Sequence, residues 1–204
     1  MNSRASARWF VFPAALFVFL FQGCTSSGSP AGPSGGAAAS SPALQGPAFV
    51  RTCESSVYGN LGNGWNDGEV TLGPVTFVGL HGLASAPARQ LTPEDGRDPR
   101  LKVLAVVRPG PPVTLRVAPS QHAALIFNPD AFNAHDVSQG DSAVTFEPCK
   151  LGRSPFGAQA ADRPTQFNGG LIVDGPMCVH IDLQVSGAPE ISQAVPLGRG
   201  QICE

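Results

Sequence analysis

The sequence predicts an all-β domain, an antiparallel β-sandwich in preference to a barrel, and three observations carry that expectation. Short apolar runs rich in Val, Ile, Thr and Phe recur from residue 49 onward, bounded by Gly, Pro, Asn or Asp. That is the composition of half-buried strands separated by turns. The chain also holds 24 glycines and 20 prolines in 204 residues, which leaves few stretches where a helix can run unbroken. Four cysteines in the same region, Cys53, Cys149, Cys178 and Cys203, are an even set suited to disulfides.

The first candidate strand is Phe49–Val57, followed by Glu69–Leu80, Leu101–Val107, Val113–Val117 and Ala123–Phe127. Ala143–Phe146, Leu171–Val173, Val179–Val185 and Ile191–Val195 complete the series. The breaks between them are sharp: Arg108 to Pro112, Asn128-Pro129-Asp130, Gln139-Gly140-Asp141 and Asp174-Gly175-Pro176. Asn168-Gly169-Gly170 reads as a further turn requiring positive φ. Only Ala84–Gln90 and Phe156–Asp162 have the composition for short helical turns. From Met177 to Val185 the odd positions are all apolar and the even ones are Cys178, His180, Asp182 and Gln184. Period-2 geometry therefore sends Val179, Ile181, Leu183 and Val185 to the core and the polar set to the opposite face.

Upstream of the domain the chain reads as an export signal and a tether. Arg4 and Arg8 precede Trp9–Phe21, a thirteen-residue apolar run interrupted only by Pro13. That length suits the core of a secretory signal and falls short of the ~20 residues that span a bilayer. Cys24 follows directly after Leu20-Phe21-Gln22-Gly23, an arrangement that resembles a bacterial lipoprotein signal. Gly23 fits that pattern, whereas Phe21 and Gln22 depart from its aliphatic and small residues. The expectation is a signal peptide over residues 1–23, lipidation of Cys24, and a Ser/Gly/Ala/Pro tether completing residues 24–47. The alternative is plain secretion. Residues 48–204 then form a single β domain.

Four cysteines allow three pairings, and sequence leaves all three open. We favour Cys178–Cys203, which closes a short C-terminal loop, with Cys53–Cys149 tying the first strand to a distant one. Removing residues 1–23 deletes Arg4 and Arg8 and no acid, which moves the balance from 13 bases against 15 acids to 11 against 15. Lys102 and Lys150 are the only lysines. This mild acidity without clustered bases excludes a nucleic-acid footprint.

Motifs of catalysis are absent from residues 48–204: no His-Glu-x-x-His, no Gly-x-Ser-x-Gly and no phosphate-binding Gly-rich loop occurs there, and the string Gly32-Pro33-Ser34-Gly35-Gly36 falls in the Ser/Gly/Ala/Pro stretch, not on a strand-to-helix turn. A blue-copper site needs two His, a Cys and an axial Met, but Met177 directly precedes Cys178 and no methionine follows. No cofactor and no metal site is therefore assigned. His81, His122 and His135 are isolated in sequence, and the acids Asp130, Asp136 and Asp141 follow no calcium-loop spacing. The loop Tyr58 to Gly68 holds the only tyrosine, with Trp65 among Asn and Gly. Aromatic faces beside amides suit a sugar or a partner protein, so Tyr58 and Trp65 are the candidate ligand-binding residues. Pro87 to Arg100 carries both charge signs and reads as a solvated contact loop.

The segments Lys102–Val107, Ala124–Asn133, Val144–Cys149 and Thr165–Gly170 resemble parts of small exported proteins, including lipoproteins, of high-GC Gram-positive bacteria. The resemblance spans roughly residues 70–180 and implies an extracytoplasmic β fold; it transfers no catalytic residue. The functional expectation is a membrane-tethered, non-catalytic binding or structural module of the cell envelope. Its partners would be the membrane, through a lipid on Cys24, and an envelope protein or glycan. Two alternatives stand beside it: a small-ligand or glycan binder using the Trp65 loop, and a metal-dependent or hydrolytic enzyme. The enzyme would need the fold to assemble residues such as His122, His180 and Asp182.

Overall fold

A computed structural model describes residues 47–92 and 100–203. Cys24, the signal segment and nearly all of the tether lie outside the described residues, as does the middle of the Pro87 to Arg100 loop. The fold is a β-sandwich with one short helix and several 3₁₀ turns. One sheet comprises β1 (Phe49–Arg51), β5 (Val113–Val117), β7 (Ala143–Phe146), β9 (Met177–Val185) and β10 (Ile191–Leu197), in the order β1-β7-β5-β9-β10. The other comprises β2 (Val70–Leu72), β3 (Val75–Val78), β4 (Arg100–Val107), β6 (Ala123–Leu125) and β8 (Thr165–Val173), in the order β2-β3-β4-β8-β6. All strand pairs are antiparallel except β1 with β7, which run parallel.

The inner faces follow from alternation. Val113, Leu115 and Val117 of β5 pack with Val179, Ile181 and Leu183 of β9 against Leu101, Val103 and Ala105 of β4. The polar face of β9 is the outer one, as its sequence predicts, with His180 exposed and Asp182 half-buried. At one end of the core three rings meet. Phe146 stands edge-on to Phe127 at 5.1 Å between centroids and tilts over Phe167 at 5.0 Å. Beside them Arg51, only 3% exposed, spans the seam between the sheets. Its Nη1 donates to the carbonyls of Phe127 (2.6 Å) and Asn168 (3.1 Å). Nη2 donates to the Ser55 carbonyl (2.6 Å) and Asn168 Oδ1 (3.2 Å), and the guanidinium carbon lies 5.6 Å from the Phe167 centroid. Each of these acceptors is neutral, and burial holds the Arg51 pKa below the ordinary guanidinium value.

At the opposite seam the C-terminal segment ties back to α1 (Leu80–Leu83) and the turn that follows it: Gly198 donates to the Leu83 carbonyl and Arg199 to that of Ala86. Two disulfides close the structure. Cys53–Cys149 joins the chain after β1 to the chain after β7, and Cys178–Cys203 pins the C-terminus to β9. This is the favoured pairing of the three. Disulfides of this kind belong to an oxidising, extracytoplasmic compartment. No helix among the described residues is long and apolar enough to cross a membrane.

Three sequence expectations need correction. Glu69–Leu80 is a hairpin, because Gly73, at φ 50°, turns the chain between β2 and β3. Phe49–Val57 pairs as a strand only through Arg51; Cys53–Ser55 form a 3₁₀ turn, and Val57 makes a lone bridge to Gln166. Asn168-Gly169-Gly170 is no turn at all: it lies in mid-strand in β8, and neither glycine has positive φ. The glycines serve close approach. A Cβ on Gly169 would lie 2.3 Å from the Phe127 ring, and one on Gly170 would lie 1.9 Å from the Leu101 carbonyl oxygen.

Candidate binding cleft

The outer face of the second sheet carries a cleft of about 570 Å³. That volume falls in the range of small-molecule sites. Its floor is a row across three strands, in which Leu104 of β4 pairs with Val78 of β3 on one side and Asn168 of β8 on the other. Side-chain alternation along β4 places Leu101 and Val103 inward, so Arg100, Lys102 and Leu104 share the outer face. Gly170, opposite Lys102, adds no side chain to that face. Ile126 and Phe132, from the chain following β6, form an apolar wall.

That wall is held by a small second core. Ala124, Ile126 and Ile172 pack under Ala131 and Ala134, which follow the Asn128-Pro129 break. Asn128 caps the 3₁₀ turn Pro129–Asn133 by accepting a hydrogen bond from the Asp130 amide (3.1 Å). Nearby, Asp141 exchanges backbone hydrogen bonds with Leu125. Its Oδ2 is buried and meets no donor among the described residues. Desolvation pushes the Asp141 pKa up, the Asn128 side chain partly opposes this, and the charge of Asp130 adds to it.

The cleft thus has two unlike ends. Leu104, Val78, Ile126 and Phe132 make one apolar; Arg100 and Lys102 make the other cationic. Among the described residues no acidic side chain lines it. Lys102 is exposed and forms no ion pair with a described residue. Sequence reasoning missed this site. The signal available was Leu104, an apolar residue at an outward position of β4 directly after two charged outward residues, Arg100 and Lys102.

The residues singled out from sequence lie elsewhere. Tyr58 is 39% exposed and stacks on Phe156 at 5.7 Å, whereas Trp65 is half-buried, and no ring contact joins the two. Cys53, Cys149, Cys178 and Cys203 are consumed in disulfides. His122, the one described non-glycine residue at positive φ (54°), bonds through Nδ1 to Asp174 Oδ2 at 3.2 Å. Both are well exposed on a separate polar cleft of about 540 Å³, which Asp136 and Ser138 also line. His180 instead exchanges backbone hydrogen bonds with the Gln121 side chain. No group of three His, Cys, Asp or Glu side chains among the described residues is placed to hold a metal, so His122, His180 and Asp182 form none. Comparison with protein-family models, with curated proteins and with solved structures finds no match to the chain.

Proposed function

We propose that the protein is a lipid-anchored, non-catalytic binding module of the bacterial cell envelope that holds a small ligand in the cleft over β3, β4 and β8. The observation that carries the reading is the cleft itself, an apolar floor across β3, β4 and β8 with an apolar wall from Ile126 and Phe132. The anchor rests on the apolar run ending at Cys24 and on the resemblance to exported proteins of high-GC Gram-positive bacteria.

A thermal-shift screen of the exported protein against apolar small molecules, wall fragments and glycans tests the binding role. A ligand at a hundred times its Kd adds about 2.7 kcal/mol to the native state. Such a shift, lost in Leu104→Trp, supports the cleft. A shift lost instead in Trp65→Ala, with Leu104→Trp unaffected, transfers the site to the aromatic loop, a second reading favoured by the exposed Tyr58 ring on Phe156. The intact mass of the exported protein tests the anchor: a diacylglyceryl adduct on Cys24 is expected, and a cleaved but unmodified chain means plain secretion.

A further inference from the structure

The two unlike ends of the cleft determine what chemistry it takes. Outward positions on β4 alternate, so Arg100, Lys102 and Leu104 follow one another along a single face, about 13 Å from first to last. Over that distance the surface changes from cationic to apolar. At the apolar end Leu104 is flanked by Val78, and Ile126 and Phe132 stand over it. A purely apolar ligand would leave Lys102 without a complement, and an inorganic anion would leave the apolar floor uncovered. Among the described residues no acid lines the cleft, and Lys102 forms no ion pair with any of them.

We propose that the cleft binds an anionic amphiphile: a medium-length alkyl or acyl chain, about ten carbons, ending in a carboxylate or phosphate. The chain lies along Leu104, Val78, Ile126 and Phe132, and the headgroup meets the Lys102 ammonium. Burial of the alkyl chain supplies affinity, whereas the lysine selects the headgroup and orients it. The proposal rests on the binding role assigned above and specifies its ligand class.

The test is a titration of the exported protein followed by the methyl resonances of Val78, Leu104 and Ile126, which report the cleft and not other apolar surfaces of the chain. The probes are decanoate below its micelle concentration, decyl phosphate, neutral 1,2-decanediol and inorganic phosphate. Decanoate and decyl phosphate are expected to shift the three methyls saturably. Lys102→Glu should weaken both at least tenfold and leave the diol unchanged. Val78→Trp, on the outer face, should abolish binding of all three chains; Leu104→Trp serves as the second blocking variant should Val78→Trp fail to fold. Equal binding of diol and decanoate, indifferent to Lys102→Glu, overturns the anionic class while leaving the cleft a binding site. Saturable binding of phosphate alone with no gain from the alkyl chain overturns the amphiphile. Methyls that no probe moves overturn both this proposal and the binding role of the cleft.

Discussion

At Arg51 a charged side chain is almost fully withdrawn from water without a carboxylate partner among its hydrogen bonds. It is tolerated because its fork of N–H groups meets the carbonyls of Phe127, Asn168 and Ser55 together with Asn168 Oδ1. Those acceptors belong to three separate parts of the chain, so one residue closes the seam between the sheets. Arg51→Met should cost about 2–4 kcal/mol, because buried carbonyls then lose their donors; urea unfolding would read it. Arg51→Lys keeps the charge but not the fork and should recover only a minor part of the loss. Asp141 is the opposite case, a carboxylate whose Oδ2 finds no donor. Its raised pKa means that the folded state binds the proton more tightly than the unfolded one. Stability therefore falls as pH rises from the ordinary aspartate value through the raised one. Asp141→Asn removes that contribution. The variant should gain on the wild type between pH 3.5 and pH 7, measured as the difference in urea midpoint; an unchanged difference would refute it.

Among the elements, β8 has the least tolerance for substitution. Gly170 lies where a Cβ would enter the Leu101 carbonyl oxygen, a backbone atom that cannot turn aside. Gly170→Ala should force β4 from β8 and lower the melting temperature by at least 10 °C, several kcal/mol of strain and broken ladder. Gly187→Ala is a fair comparison, since nothing lies within 4 Å of its added Cβ and the cost there is only that of its positive φ. The same glycines explain how legible the strands were. Val113–Val117 and Ala143–Phe146 could be read from sequence to the residue, because apolar alternation and flanking turn residues agree there. The first half of β8 could not, since Asn-Gly-Gly is also the composition of a hairpin turn, and only the approach of Phe127 and Leu101 shows why glycine is needed. Gly73 was hidden in the reverse way, inside an apolar run that reads as one strand.

For the whole molecule, the disulfides close loops of very different size. Cys53–Cys149 spans 96 residues and Cys178–Cys203 spans 25. In the chain-entropy limit they are worth about 4–5 and about 3–4 kcal/mol. Replacing Cys53 and Cys149 together with Ala should therefore destabilise more than replacing Cys178 and Cys203, by about 1 kcal/mol in denaturant unfolding. The reverse order would show that native contacts around the bridges outweigh loop entropy. The larger bridge also secures β1, whose short parallel pairing with β7 brings Arg51 to the seam.

The sequence by itself determined the fold class, most strand positions, the inner and outer faces of β9 and an even cysteine set compatible with the observed pairing. These are local properties: alternation, turn residues and parity are written in neighbouring positions. Only the tertiary structure decided that the Gly169-Gly170 pair sits in mid-strand, that Arg51 bridges two sheets and that an apolar cleft with a cationic end lies over β4. Each of those depends on residues far apart in the chain, and a side chain's partners across a sheet are set by register, which no single stretch of sequence contains. Tyr58 and Trp65 drew notice because aromatic loops are locally conspicuous; Leu104 and Lys102 become a candidate site only when Val78, Ile126 and Phe132 are brought to them.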